Sequence, residues 1–317
     1  MTDFLFSPRR IPRTGDHTPA ASLFGYVWRM SGSHQVWICL LAVVVAGLTA
    51  IPLELQRRIV DEVMRDREME LLWLLAGGYL AVLLVQGVTK YAMHMYQSWL
   101  SESAIRYNRA HLTRLYELRD GGDGGHHGGE AVSIIGAEVD RLGGFVGEGL
   151  SQPVVNGGML LAMGGYMLVV EPLVASISMV FIVPQIILMP LLQARINRLM
   201  ERRVTLLRGL GDQLAELPEA EDDFRHSGLP VRLDRIYDNR LRTFLWKFGQ
   251  KAIMNLLSAI APLSVLLVGG LMVIEGETTI GVVVAFISGF ERLSTPLREL
   301  IAYYRIAAQA NVQHRMI

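Results

Sequence analysis

Cysteine is almost missing from this chain: Cys39 is the one copy in 317 residues. A disulfide framework within the chain is therefore excluded, as are the zinc and thiol-redox motifs that need several cysteines. No sign of charge is in excess, with 30 Lys+Arg against 30 Asp+Glu. A nucleic-acid binder carries a basic surplus, so that class of partner is set aside. Charge is also sparse, at 19% of residues, where a soluble domain has about 25%. Lysine is sparser still, confined to Lys90, Lys247 and Lys251. There is no long Ser, Pro or Gln tract to keep the chain disordered, and the glycines lack the three-residue period of collagen. What the chain does have is apolar residues, 51% of the total, gathered into long runs.

A helix crossing roughly 30 Å of hydrocarbon needs about 20 mostly apolar residues. Six stretches qualify: about Val36–Leu55, Leu71–Met95, Val154–Val170, Leu173–Leu192, Ile253–Ile274 and Ile280–Ala302. The expected fold class is an all-α membrane protein with six transmembrane helices. Its connections are unequal. Glu171-Pro172 joins spans three and four, and Glu275-Gly276-Glu277-Thr278 joins five and six. Residues 96–153 and 193–252, by contrast, form two long segments. Those long segments hold most of the arginines, among them Arg106, Arg109, Arg114, Arg195, Arg198, Arg202, Arg240 and Arg242. Arginine near span ends marks the cytoplasmic side. Arg9, Arg10, Arg13 and Arg29 put the N-terminus on that side too, and an even number of spans puts the C-terminus there. Arg57, Arg58, Arg65 and Arg67 in the first short loop run against the rule, but acids outnumber them. The chain is expected in the plasma (inner) membrane with both termini cytoplasmic.

The long segments carry helical periodicity. Ile196, Leu199, Met200 and Val204 recur at helical spacing within 193–215, and Leu233, Ile236, Tyr237, Leu241 and Leu245 within 231–248. About 20 residues of continued helix project roughly 30 Å beyond a membrane. Spans four and five therefore read as the ends of long helices, broken near Pro218 and near Gly228-Leu229-Pro230. The corresponding break in the first long segment is Asp120-Gly121-Gly122-Asp123-Gly124-Gly125-His126-His127-Gly128-Gly129. The first 20 residues lack an apolar core and carry Pro12 and Pro19, so they read as a flexible segment rather than a secretory signal. Residues 21–34 follow with Leu23, Tyr26, Val27 and Met30 on one helical face, and Trp28 and Arg29 suit a membrane interface. A surface elbow helix is expected there.

Four stretches match one family. Gly276-Glu277-Thr278-Thr279-Ile280-Gly281-Val282-Val283-Val284-Ala285-Phe286 resembles the pattern with which ABC exporters begin their sixth span. Leu293-Ser294-Thr295-Pro296-Leu297-Arg298-Glu299-Leu300 is similar to that helix's later half. Pro52-Leu53-Glu54-Leu55-Gln56-Arg57-Arg58-Ile59-Val60-Asp61 resembles the exit from span one. Gly129-Glu130-Ala131-Val132-Ser133 with Glu138-Val139-Asp140 resembles the returning helix of the first cytoplasmic segment. The resemblance is to the type-1, six-helix transmembrane domain of ABC exporters and covers residues 21–315, with 35–317 as the membrane domain proper.

That resemblance implies a transmembrane subunit or domain forming a translocation pathway by alternating access. It implies pairing with a second transmembrane domain, as a homo- or heterodimer, and an ABC ATPase domain or subunit that carries ATP and Mg. Membrane lipids and an unknown small-molecule, lipid or peptide substrate complete the implied partners. The ATPase would dock on residues 119–129 and 217–228, with Arg119, Asp120, Asp123, Glu219, Asp223, Phe224 and Arg225 as candidate contacts. Two departures stand out. The glycine run at 121–129 replaces the family's short transverse helix, and the segment between Glu216 and Arg232 is short. The phosphate loop G-x-x-x-x-G-K-[ST] is missing, because none of the three lysines follows the required glycine. The chain is thus expected to be no enzyme by itself, with no cofactor or metal of its own, and to lack its nucleotide-binding domain.

Polar residues inside the spans are the candidate cavity lining. Gln86, Lys90, His94 and Gln97 share one face of span two, and such a stripe faces protein or water rather than lipid. Equally, Lys90 lies deep enough along its helix to snorkel to an interface. Asn156, Gln185, Asn255 and Ser288 complete the set, either as cavity contacts or as hydrogen bonds between helices. Two rival functions remain open. An ATP-independent secondary transporter would call for acids at mid-span, and here Glu54, Glu291 and Glu299 lie toward helix ends. An exporter-derived protein with a non-pumping, binding or regulatory role is the other.

Overall fold

A computed structural model of the chain describes residues 7–9, 11, 20, 22–63, 69–119, 136, 139–215 and 228–316. Among these residues nearly everything is helical and no strand occurs. The helices are α1 (Leu23–Ser31), α2 (His34–Leu48), α3 (Ile51–Arg58), α4 (Met69–Arg119), α5 (Val139–Glu148), α6 (Ser151–Val170), α7 (Pro172–Ala215), α8 (Leu229–Glu275) and α9 (Ile280–Met316). A π-helical turn, Ile59–Val63, continues α3. Among the described residues six segments are long and apolar enough to cross a membrane: His34–Val63, Met69–Leu115, Val139–Val170, Pro172–Gly211, Leu229–Glu275 and Ile280–Asn311. Each contains one of the six spans expected from the sequence. The glycine-rich break at 121–129 and the break at 216–227 fall outside the described residues.

The chain divides into two compact units, one formed by residues up to Ala175 together with Gly269–Ile317, the other by Ser176–Val268. In the first unit α5 lies along α4, and α6 lies between α2 and α9. Contact between α4 and α5 is close because Gly147 has no side chain: a Cβ there would overlap the carbonyl oxygen of Gln97. Of the glycines grouped in pairs in the sequence, Gly143, Gly147, Gly158 and Gly269 abut a neighbouring helix, whereas Gly157, Gly165 and Gly270 face open space.

Span one differs from a single rod. It breaks after Leu48, where Pro52 enters the first turn of the next helix and Thr49 Oγ1 donates to the Ala46 carbonyl at 2.5 Å. Proline cannot donate within a helix, and its ring crowds the preceding turn. The rest of the span ends in the π turn, and this turn has a partner far away in sequence. Asp61 Oδ1 accepts from the Gly281 amide at 2.8 Å, and Asp61 Oδ2 accepts from the Thr279 hydroxyl at 2.8 Å. The first four N–H groups of a helix lack internal acceptors, so Asp61 caps the start of α9 from another helix. Gly281 has to be glycine for this approach, since a Cβ would collide with the Arg57 carbonyl and the Asp61 carboxylate.

Helix α1 buries Leu23, Tyr26, Val27 and Met30, the face anticipated from their spacing, against Ala104, Leu142, Phe145, Val146 and Ala310. Phe24 and Trp28 stay exposed on the other side. Ser22 Oγ accepts from the Gly25 amide at 3.1 Å to cap its start. At its end, Arg9 Nη1 donates to the Met30 carbonyl at 2.6 Å, a cation on a carbonyl of the last turn. The Arg9 amide donates to Ser103 Oγ at 3.1 Å, and Trp99 Nε1 donates to the Ser7 carbonyl at 2.9 Å. Those contacts fasten residues 7–9 onto α4.

The second unit is an antiparallel pair made by α7 and α8. Asn239, buried, donates from Nδ2 to the Leu199 carbonyl at 3.0 Å, and Arg232 donates to the Gly209 carbonyl. Both helices stay continuous through Pro184, Pro190 and Pro262.

Two outcomes are expected. Asp61→Ala leaves the Gly281 amide without its acceptor and should lower stability by about 1 kcal/mol, read as a lower Tm in detergent, with Asp61→Asn losing less. Burial pushes the Tyr26 phenol up to about 12, above the ordinary tyrosine value of about 10. The fold holds the neutral phenol, so stability is intact below about pH 10 and falls as the pH climbs toward 12, by up to about 2–3 kcal/mol. Unfolding of the native chain at alkaline pH should show this loss, and Tyr26→Phe should show a smaller one.

Candidate functional site

On α4, Gln86 is half-buried, while Lys90 and His94 are exposed and Gln97 is buried. The stripe therefore splits into two parts. Its lower part is a hydrogen-bonded chain: the Gln97 amide oxygen accepts from His94 Nδ1 at 2.9 Å, and Gln97 Nε2 donates to Ser151 Oγ at 2.7 Å. The Ser151 hydroxyl donates onward to the Gly147 carbonyl at 3.0 Å. An amide acceptor requires the proton to sit on His94 Nδ1. The upper part, Gln86 and Lys90, joins no such chain, and Lys90 has no ion-pair partner among the described residues. Buried polar groups that are fully bonded hold helices together. That is what Gln97 does between α4 and the start of α6.

The other candidates occupy different settings. Asn156 is buried and donates from Nδ2 to Gln152 Oε1 at 3.1 Å, one turn back along α6. Gln185 is buried and donates from Nε2 to the Phe181 carbonyl at 3.2 Å, one turn back along α7. Asn255 is exposed and Ser288 half-buried. Of the methionines in spans three and four, Met163 and Met167 are core residues, buried to 2% and 1% exposure, so they present no surface to a ligand. Of the candidate docking residues, only the backbone of Arg119 is described. Its side chain, and Asp120, Asp123, Glu219, Asp223, Phe224 and Arg225, lie outside the described residues.

Two features were not picked out from the sequence. The first is a polar girdle at the end of the first unit that carries Glu171 and the 276–279 turn. Glu54 accepts from Arg57 Nε at 2.8 Å and Nη2 at 2.7 Å, from Arg58 Nε at 2.7 Å and from the Tyr166 hydroxyl at 2.9 Å. One carboxylate thus ties α3 to α6 and pairs with two arginines that run against the charge rule. Tyr79 on α4 accepts from Gln56 Nε2 at 3.5 Å and from Arg292 Nη2 on α9 at 3.2 Å. The spacing of Glu54 to Arg57 and Arg58 is a legible helical ion-pair signal. Tyr166, Tyr79 and Arg292 are too distant in sequence to have been read. The second feature is an open polar groove of about 420 Å³ between α4 and α5, with Ser98, Ser101, Glu102 and Ile105 on one wall and Gly144 and Glu148 on the other. Arg109 and Asp140, paired at 2.6 Å, close one end of it. None of the candidate cavity residues lines this groove.

No protein-family model matches the chain. A protein of Bacillus subtilis (strain 168), provisionally named a multidrug export ATP-binding/permease protein, is 23% identical over 267 residues. The match takes in 80% of this chain and 46% of that relative, so the chain spans about half the length of the protein it resembles. Six helices able to cross a membrane, together with this similarity, support a transmembrane exporter domain.

Gln97 and Lys90 make a testable contrast. Gln97→Ala strands Ser151 and His94 and should cost about 1–3 kcal/mol. Lys90→Met, on an exposed face, should change stability by less than about 0.5 kcal/mol. Thermal unfolding of the two variants in the same detergent checks both.

Proposed function

We propose that this chain is the membrane domain of an ATP-driven exporter of the ABC type, which turns a central pathway from one side of the membrane to the other. The observation that carries the reading is the similarity to an ATP-binding/permease protein over 80% of the chain, in a protein with six helices of crossing length. Nothing in the domain's work is covalent. It acts as a translocase by changing shape, and ATP would bias that change only through its preference for one state.

Helix length gives the domain its levers. At 1.5 Å per residue, the 51 residues of α4, 44 of α7 and 47 of α8 extend roughly 66–76 Å, about twice the roughly 30 Å of hydrocarbon. Their surplus length would reach into the cytoplasm and end at residues 119–129 and 217–228, where an ATPase domain would engage. ATP and Mg would be held by that domain or subunit rather than by this chain. Lys90, Lys247 and Lys251 all sit within continuous helix, and a phosphate-cradling lysine sits where a glycine-rich turn opens a helix. A second transmembrane domain, identical or related, would complete the pathway. α1 would lie as an elbow on the cytoplasmic surface, with Phe24 and Trp28 toward lipid.

In this reading the girdle around Glu54 and Tyr79 is the contact that closes the outer side. Opening outward would separate α3 from α6, or α4 from α9, so weakening these bonds should favour the outward-open state. The test replaces Cys39 with serine and introduces single cysteines at Arg119 and Phe224, for cross-linking in the membranes of the native host. The expected result is a cross-link to an ATP-binding cassette, with ATP hydrolysis that rises when the two co-purify. Glu54→Gln should raise that basal hydrolysis. A chain that purifies without any ATPase, and whose transport follows an ion gradient instead, would overturn the proposal.

A further inference from the structure

We propose that a groove between α7 and α8 is a binding site for an anionic membrane phospholipid, with one acyl chain in the groove and the phosphate on Arg195. The groove encloses about 280 Å³ and is lined by Leu192, Leu245, Trp246, Gly249, Gln250 and Ile253. Its position is set by the sequence. Leu192 closes the apolar run of α7 and Ile253 opens that of α8, so the groove straddles the level where hydrocarbon gives way to headgroups. Trp246 sits where tryptophan concentrates in membrane proteins, at that boundary. The walls are apolar except for Gln250, half-buried at one side, whose amide can bond a glycerol ester.

Charge selects the occupant. Arg195 holds its guanidinium 5.6 Å from the centre of the Trp246 ring, at the edge of the groove. Arg198, Arg240, Arg242, Lys247 and Lys251 follow on the same two helices, and no acidic residue occurs from 172 to 200 or from 239 to 274. Arg195 is exposed and has no carboxylate partner among the described residues. An apolar slot with Arg195 at its edge and no acid in the adjoining stretches of either helix matches a molecule with an apolar tail and an anionic head. A second copy of the same face would bring arginine against arginine, which argues against self-association here. The proposal needs only that α7 and α8 cross the membrane, and it does not depend on the export reading.

Gly249 provides the means of testing it, because a Cβ at that position meets nothing within 4 Å. A larger side chain there would fill the groove without striking the fold. The full chain is reconstituted into bilayers containing brominated phosphatidylglycerol or brominated phosphatidylcholine, and the Trp246 signal is isolated by difference from Trp246→Phe. The anionic lipid should quench Trp246 in preference to the zwitterionic one, by about fivefold in apparent affinity, as expected for one basic residue at an anionic headgroup. Arg195→Gln should bring the two lipids level, and Gly249→Leu should cut quenching by both. Equal quenching in the native chain, a preference that survives Arg195→Gln, or a Gly249→Leu protein that quenches as before would each overturn the proposal.

Discussion

Hydrocarbon offers a backbone no hydrogen-bonding partner, and every N–H and C=O within it has to be satisfied by the chain itself. The helices of this protein, and the way they end, follow from that constraint. Continuous helix meets it along α4, α7 and α8. Where span one breaks near Thr49, the threonine hydroxyl takes the Ala46 carbonyl. Where α9 begins, Thr279 Oγ1 accepts from the Val282 amide and Asp61 accepts from the Gly281 amide. The same accounting explains Arg9 at the end of α1.

Side chains inside the first unit obey the same rule with fewer options. Gln97, at 2% exposure, is bonded on both sides of its amide. Glu54 accepts from three residues on two helices. These are the groups whose loss leaves a stranded partner, and they separate structural polarity from polarity that is free for other use. Lys90 and Asn255 remain exposed, on surfaces that this chain alone does not cover. On the proposed export reading, that exposure leaves them free to face a partner or the pathway.

The second unit shows how charge and length combine. Its two helices carry apolar residues over the span and arginines beyond it, so the change of environment is written along each helix. The groove beside Trp246 lies at that change. A lipid held there would report on the spacing of α7 and α8 in any motion that alters it.

Much of this was legible in one dimension. A run of about 20 apolar residues has only one way to satisfy its backbone in a membrane. Six helices long and apolar enough to cross a membrane, and the buried face of α1 at Leu23, Tyr26, Val27 and Met30, therefore followed from residue order. So did the long helices over 193–215 and 231–248, from periodicity alone. Pairing across distance was not legible. Asp61 and Gly281 are 220 residues apart, Tyr166 lies 112 residues from Glu54, and no local pattern distinguishes a carboxylate that caps another helix from one facing solvent. The polar stripe on α4 shows the same limit: spacing put Gln86, Lys90, His94 and Gln97 on one face, but packing against α6 buried Gln97 and left Lys90 exposed. Sequence determined what each helix is, because backbone satisfaction is local; tertiary structure decided what each polar side chain does, because its partner comes from another helix.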